Sequence, residues 1–168
     1  MPRISIETQG LLLRNTQASD IPALVRMWTD PDVTRFMGGP RDAAWLQKNF
    51  TEDAHNVDPW PYDQWPVIEK SSGDLIGYCG FLDKEIDGRP EIELAYVFMP
   101  LAWGKGYGTE MALGLQDHAV GRMDLKRLVA LIEPENKASV RVAERVGLHR
   151  DRNVMRPRGE LMLYVFGL

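Results

Sequence analysis

The stretch of sequence that decides the fold is Trp103-Gly104-Lys105-Gly106-Tyr107-Gly108-Thr109-Glu110. It follows an apolar run that ends at Pro100 and precedes a segment in which apolar residues recur at helical spacing. Glycine lets the backbone approach a ligand closely, and a helix start offers free amide groups and the positive end of the helix dipole. The stretch therefore predicts an anion-binding turn between a strand and a helix.

Nucleotide-binding turns of three kinds compete for this segment. The phosphate loop of nucleotidases ends in Gly-Lys-Ser/Thr, a combination that does not occur here. The dinucleotide fingerprint needs Gly-x-Gly-x-x-Gly early in a strand-helix-strand unit, whereas this chain has Gly-x-Gly-x-Gly two-thirds of the way along its length. Spacing and position therefore disfavour a dinucleotide-binding oxidoreductase.

The rest of the sequence predicts a mixed sheet with helices on its faces. Three prolines between residues 53 and 66 are too many for a regular element, so this segment is predicted to be a mobile loop. Strands are predicted at residues 11–14, 67–70, 75–82, 91–99, 127–133 and 161–166. Helices are predicted at about residues 21–30, after Arg41, at 108–122, and after Asn136 as its cap.

These motifs resemble the GCN5-related N-acetyltransferase (GNAT) superfamily, and within it the group that acetylates the amino termini of ribosomal proteins. The family carries Gln/Arg-x-x-Gly-x-Gly/Ala at this junction, and Gly106 and Gly108 match its two small positions. Trp103 stands where the family usually has Gln or Arg. Residues 135–139 and 144–148 are similar to the family's Asn-x-x-Ser and Glu-Lys-x-Gly-Phe segments, at the proper distance.

The resemblance covers residues 11–168 and implies a single N-acetyltransferase domain over residues 1–168. The implied α/β (α+β) fold has a mixed, mostly antiparallel sheet of about six to seven strands with about four helices on its faces. The strand before the glycine segment would bulge and splay from the strand after the helix, and the pantetheine arm of acetyl-CoA would fill the gap. The implied reaction is acetyl transfer from acetyl-CoA to a primary amine, either a protein amino terminus or a small molecule.

The resemblance also implies how the cofactor is held. Main-chain amides of the glycine segment would bind the pyrophosphate, and backbone groups of Tyr96 and Phe98 would bind the pantetheine arm. The expected cofactor-binding residues are Tyr96, Phe98, Trp103, Gly104, Lys105, Gly106, Tyr107, Gly108, Thr109, Asn136 and Ser139.

Two proton transfers accompany such a reaction, from the incoming amine and to the departing thiolate. Glu93 is the candidate base, because family members often use a glutamate on this strand; the alternative is an ordinary solvent-facing glutamate. Glu91 is a weaker candidate. Ser139 is the candidate acid, or else a first-turn serine without a catalytic role. Many family members have a tyrosine that acts as the general acid in the last helix, and Ala143 occupies that position here. The alternative function is therefore a non-catalytic acyl-CoA sensor or interaction module.

Aromatic residues provide candidates for the acceptor pocket. Trp60, Tyr62 and Trp65 are predicted either to wall that pocket or to pin a loop to the core, and Trp28 and Phe36 are added to the predicted pocket. The acceptor itself is not identified by the sequence beyond a small-molecule or peptide amine.

Composition excludes several other classes of protein. A net charge of −4 with scattered basic residues gives no footprint for nucleic acid and mildly favours cationic substrates. The single cysteine, Cys79, excludes an internal disulfide, and the three histidines lack metal-ligand spacing, so no metal site is expected. No apolar stretch is long enough for a membrane span and no secretion signal is visible, so a cytoplasmic location is expected. The resemblance allows a homodimer.

Overall fold

A computed structural model describes residues 4–56, 58 and 60–167 of the chain. The strands are β1 (Ser5–Glu7), β2 (Leu11–Arg14), β3 (Gln64–Glu69), β4 (Leu75–Ile86), β5 (Arg89–Phe98), β6 (Arg127–Ile132), β7 (His149–Arg156) and β8 (Gly159–Gly167). The α-helices are α1 (Ile21–Thr29), α2 (Pro31–Thr34), α3 (Ala43–His55), α4 (Tyr107–Arg122) and α5 (Lys137–Arg145).

All eight strands form one sheet in the order β1-β2-β3-β4-β5-β6-β8-β7. Every neighbouring pair is antiparallel except β5 and β6, which run parallel. The predicted mixed, mostly antiparallel sheet with helices on its faces is therefore confirmed. The sheet has more strands than the six to seven expected, because the edge strands β1 and β7 were not predicted.

The segment at residues 53–66 is less irregular than its prolines suggest. Helix α3 continues to His55 and strand β3 begins at Gln64, so the loop prediction is wrong at both ends. Pro66 lies within β3 opposite Tyr78 of β4. Proline has no amide hydrogen, so it fits a strand only where the ladder needs no donor. The parts of this prediction that concern residues 57 and 59 lie outside the described residues.

The sheet separates two apolar clusters, one on each face. Alternate residues of a strand point to opposite faces. On β5, Val97 packs into a cluster with Leu24 and Phe50 of α1 and α3. Phe98, the next residue, packs into the larger cluster that includes Met111 of α4. One face therefore carries α1 and α3, and the opposite face carries α4.

The two parallel strands at the centre of the sheet diverge. They share a single register pair, Glu93↔Val129, whereas β4 and β5 are paired continuously from Gly77↔Phe98 to Ile86↔Arg89. The expected splay is confirmed, but the expected bulge in β5 is wrong, because its ladder with β4 shows no shift of register. Beyond Glu93 the sheet is open between β5 and β6.

Within the described part of the chain, no helix has both the length and the apolar character that a bilayer span requires.

Candidate active site

A cavity of about 820 Å³ occupies the opening between β5 and β6. Its walls include residues 93–98 of β5, residues 130–132 of β6 and Glu133, which follows β6. Trp28, at the end of α1, lines one side, and Ser139, in the first turn of α5, lines the other. The cavity therefore passes through the sheet and joins its two helical faces.

The glycine turn forms one end of this cavity. Gly104 and Gly106 have φ values of +75° and +80°, a left-handed backbone that glycine adopts without steric cost. Gly106 caps α4, whose first intrahelical bond runs from the Glu110 amide to the Gly106 carbonyl at 3.0 Å. The amides of residues 107–109 precede that bond and have no acceptor within the helix. A Cβ placed on Gly106 would meet no atom within 4 Å, so there is open space beside these donors for an anion.

Side chains on α4 hold the turn against β1, β2 and β3. Tyr107 lines the cavity, and its hydroxyl donates to Glu69 Oε1 at 2.6 Å, which ties the start of α4 to β3. Glu110 Oε1 accepts from the Thr8 hydroxyl at 2.6 Å and from the Gly10 amide at 2.7 Å. These bonds occupy the carboxylate of Glu110 and leave the main-chain amides to bind an anion.

Trp103 anchors the end of β5. Its indole Nε1 donates to the Phe98 carbonyl at 2.8 Å, while half of its side chain remains exposed. The Met99 amide donates to Ile76 on the β4 side at 2.8 Å, and main-chain groups alternate in direction along a paired strand. The main-chain groups of Phe98 and Tyr96 therefore face the opening. Because Trp103 engages the Phe98 carbonyl, the Phe98 amide is the group directed at a ligand.

Glu93 lies in the wall of the cavity, on the α1 and α3 face, because it is an even number of residues from Val97. One carboxylate oxygen accepts from the Leu131 amide at 3.3 Å, and the other lies 3.6 Å from Lys84 Nζ. Burial raises the pKa of Glu93 above the ordinary glutamate value, and Lys84 and the Leu131 amide oppose part of that rise. A carboxylate with a raised pKa is a stronger base than an exposed one.

Glu91, the weaker candidate, has a different role. Its buried carboxylate accepts from Arg127 Nε at 3.0 Å and from Arg127 Nη2 at 3.0 Å. Such a two-point ion pair fixes the start of β5 to the start of β6.

Tyr96, Asn136 and Ser139 meet at the start of α5, and all three line the cavity. Asn136 Oδ1 accepts from the Ser139 amide at 3.2 Å, which confirms its role as helix cap. The Tyr96 hydroxyl donates to the Ser139 carbonyl at 2.9 Å, a side-chain role that the sequence did not indicate. Burial raises the pKa of Tyr96. Ala143 is fully buried and brings no proton donor.

Two of the five aromatic residues predicted for the acceptor pocket, Trp28 and Phe36, line the cavity. The structure places the other three elsewhere. Trp65 is buried in the core on the α4 face of the sheet, and Tyr62 packs against that core. Trp60 is 60% exposed and contacts Tyr62 edge-on, with 6.1 Å between ring centroids. Trp65 is therefore a core residue of β3, Tyr62 packs the segment before β3 against that core, and none of the three lines the cavity.

Several arginines in the cavity wall were missed by the sequence reasoning. Arg141 and Arg145 lie one turn apart on α5, a spacing that could have revealed them once the Asn136 cap was recognised. The acceptor end of the cavity is the end that contains Trp28 and Phe36, and it is lined by Arg35, Arg41 and Arg158. Arg35 and Arg41 lie in the segment between α2 and α3, Arg158 lies in the turn between β7 and β8, and the three share no motif.

The remaining reactive groups give no second centre. Cys79 is fully buried, and burial raises the pKa of its thiol to about 12, which makes a nucleophilic thiolate unfavourable at neutral pH. Among residues 4–56, 58 and 60–167, no three His, Cys, Asp or Glu side chains come together as a metal site would need.

With this geometry established, the chain can be compared with known proteins. The model of the acetyltransferase (GNAT) domain matches residues 10–149. The chain belongs to the GNAT acetyltransferase family. Members of this family transfer an acetyl group from acetyl-CoA to an amine, and the chain is accordingly an acyl-CoA-dependent N-acetyltransferase.

Similar proteins agree with this assignment over nearly the whole chain. The uncharacterized protein YkkB of Bacillus subtilis is 28% identical over 163 residues, which cover 96% of this chain and 95% of YkkB. The uncharacterized N-acetyltransferase p20 of Bacillus licheniformis is 28% identical over 178 residues, covering 98% of this chain and 95% of p20. The crystal structure of an acetyltransferase from Agrobacterium tumefaciens superimposes with a TM-score of 0.81 at 27% identity, covering 98% of this chain and 95% of that one.

Proposed function

We propose that this GNAT-family enzyme transfers the acetyl group of acetyl-CoA to a primary amine by direct attack of the amine on the thioester. The observation that carries the proposal is the cavity through the open centre of the sheet. At one end it has an anion-binding turn built from main-chain amides, and on the opposite face it has a buried carboxylate, Glu93. A cofactor and an amine entering from opposite faces would meet between β5 and β6.

The residues present fit acetyl-CoA. The amides of residues 107–109, with Gly104 and Gly106, form a nest for a pyrophosphate. Tyr96 and Phe98 offer main-chain groups to the pantetheine arm along the open edge of β5. Acetyl-CoA supplies an acyl group activated as a thioester. One fixed amide at the reacting carbonyl, for which Phe98 is the candidate, is worth about 3 kcal/mol in the transition state.

Glu93 is the proposed general base. Its carboxylate would take the proton that the amine loses as the C–N bond forms and the C–S bond breaks, and the leaving thiolate would take up a proton from solvent. Ser139, whose backbone is fixed by Asn136 and Tyr96, is the proposed hydrogen-bond donor to the departing sulfur. No covalent intermediate on the protein is needed for this route.

The alternative function, acyl-CoA binding without catalysis, agrees less well with membership in this family. The observation in its favour is Ala143, a buried residue without a proton donor at the position where related enzymes usually have a tyrosine as the general acid. In that case the cavity would bind the cofactor and release no thiol.

Thiol release separates the two functions. Purified protein is incubated with acetyl-CoA and a panel of amines: peptides with free amino termini, including ribosomal-protein termini, together with amino acids, polyamines and aminoglycosides. Release above the amine-free rate with any of them supports transfer, and acetyl-CoA binding without release across the panel supports the sensor. Absence of acetyl-CoA binding to folded protein contradicts both.

A further inference from the structure

An unpaired donor lies in the acceptor end of the cavity. The indole of Trp28 is 9% exposed, and its Nε1 has no hydrogen-bond partner in the part of the chain that the structure describes. Buried polar groups in folded proteins are nearly always paired, because an unpaired one has lost its water without gaining a partner. Since Trp28 lines the cavity, a bound ligand that presents an oxygen acceptor would satisfy this group.

Positive charge surrounds this indole. The guanidinium of Arg41 lies over the Trp28 ring, with its Cζ 5.4 Å from the ring centroid. The aliphatic stem and guanidinium of Arg158 pack on Gly38, where an added Cβ would lie 3.2 Å from Arg158 Nη1. Burial and the proximity of Arg158 both lower the pKa of Arg41, so the two cations repel one another in the free protein.

The acidic groups near these arginines neutralise them only in part. Glu133 Oε1 lies 3.8 Å from Arg158 Nη1, beyond hydrogen-bond range, and Asp32 is an exposed residue at the rim. Arg41 Nη1 donates to the Gly39 carbonyl at 2.5 Å, a neutral partner. Two arginines held together with an incomplete set of counter-charges are a common arrangement for binding a carboxylate or phosphate.

We propose that the acceptor amine carries a carboxylate, which Arg41 and Arg158 bind while the Trp28 indole donates to one of its oxygens. This inference rests on the proposed acetyl transfer and specifies its substrate class: small amino carboxylates of the α-amino acid type. In this proposal the amino group of such a molecule would be directed to Glu93, which lines the same cavity. The protein's net charge of −4 favours cationic substrates, but the local charge at this end of the cavity has the opposite sign.

Matched acceptors provide the first test. Alanine, methionine and phenylalanine are each compared with the corresponding amino acid amide and decarboxylated amine, at saturating acetyl-CoA, by the rate of thiol release. We expect kcat/KM to be at least about tenfold higher for the free acids, the size of one charge-assisted hydrogen bond. Equal or faster reaction of the amides and amines would refute the carboxylate site and leave acetyl transfer standing. Thiol release with neither these compounds nor the wider amine panel would contradict both proposals.

Variants provide the second test. Arg41→Gln should raise KM for the free acids about tenfold or more, with nearly unchanged kcat for the acids and nearly unchanged KM for the amides. The variant should therefore lose the preference for free acids over amides. Arg158→Gln, at an exposed side chain, should do the same and covers the case in which Arg41→Gln fails to fold. Arg122→Gln, at the exposed end of α4, is the matched control and should keep the preference.

Trp28→Phe separates binding from structure. The substitution keeps an aromatic ring and removes a donor that has no partner among the described residues, so none of the hydrogen bonds described is lost. We expect KM for the acids to rise about three- to tenfold with little change for the amides. If KM rises by the same factor for acids and amides, the indole acts only through packing and does not donate a hydrogen bond to the carboxylate.

Discussion

Gly106→Ala tests the anion-binding turn most directly. Gly106 has φ +80° and ψ 7°, and alanine in this left-handed region costs about 1–2 kcal/mol. For a domain of this size that cost corresponds to a fall in Tm of about 2–8 °C. The added methyl group clashes with nothing in the protein, so the variant should fold. The methyl group enters the open space beside the helix start, where the pyrophosphate is proposed to bind.

The expected loss of cofactor affinity follows from the displaced phosphate. Losing one hydrogen bond to a charged group costs about 1.5–3 kcal/mol, which raises the Kd for CoA about 10- to 150-fold. Calorimetry with CoA measures the affinity, and thermal unfolding measures the stability. Gly73→Ala is a matched control, because Gly73 has φ +79° and a Cβ there also meets nothing within 4 Å, but it lies in the turn between β3 and β4.

Both variants should lose similar stability, and only Gly106→Ala should lose affinity for CoA. If the two bind CoA equally well while their Tm values fall together, the methyl group does not meet the ligand. Such a result would mean that the pyrophosphate does not bind at the start of α4.

Two further predictions concern pH. Because burial raises the pKa of Glu93, kcat/KM of the wild type should fall with decreasing pH at values above the ordinary glutamate pKa. Glu93→Gln should abolish this acidic limb of the pH profile and lower the rate about 100-fold or more. A variant with an unchanged pH profile would show that another group is the base. The Asp53 side chain is only partly buried, and this partial burial together with the nearby Asp63 and Glu52 raises its pKa to about 6; its ionisation therefore destabilises the fold as the pH rises through that value. Asp53→Asn should therefore raise Tm by about 2–4 °C at pH 7 to 8, since screening at an exposed side chain limits the gain to about 1 kcal/mol, and the gain should vanish below pH 4. A gain of the same size at pH 3 would show that ionisation is not its cause.

Features encoded by adjacent residues could be predicted from the sequence. The start of α4 after Gly106 and the cap of α5 at Asn136 depend on a few neighbouring residues, and both lie where expected. Strand β7 was missed because its sequence, His149–Arg156, is polar and most of its side chains are exposed. Hydrophobic alternation does not mark an edge strand of this kind, which is held mainly by its ladder with β8.

The acceptor end could not be predicted for a related reason. Arg41 and Arg158 are more than 100 residues apart in the chain, and only the packing of the segment between α2 and α3 against the β7–β8 turn brings them together. The expectation for Trp65 failed because the side chain points to the core face of β3, a choice made by strand register rather than by composition.

The single register pair between β5 and β6 has a consequence for how the molecule withstands heat. It leaves a seam down the middle of the sheet, with main-chain donors and acceptors on both borders that the fold itself does not join. A pantetheine arm bound in this gap would form hydrogen bonds to both β5 and β6 and so connect the two halves of the sheet, β1–β5 and β6–β8. Cofactor at 100 times its Kd would add about 2.7 kcal/mol to the free energy of unfolding, and part of that gain would come from joining two strands that pair at one position only.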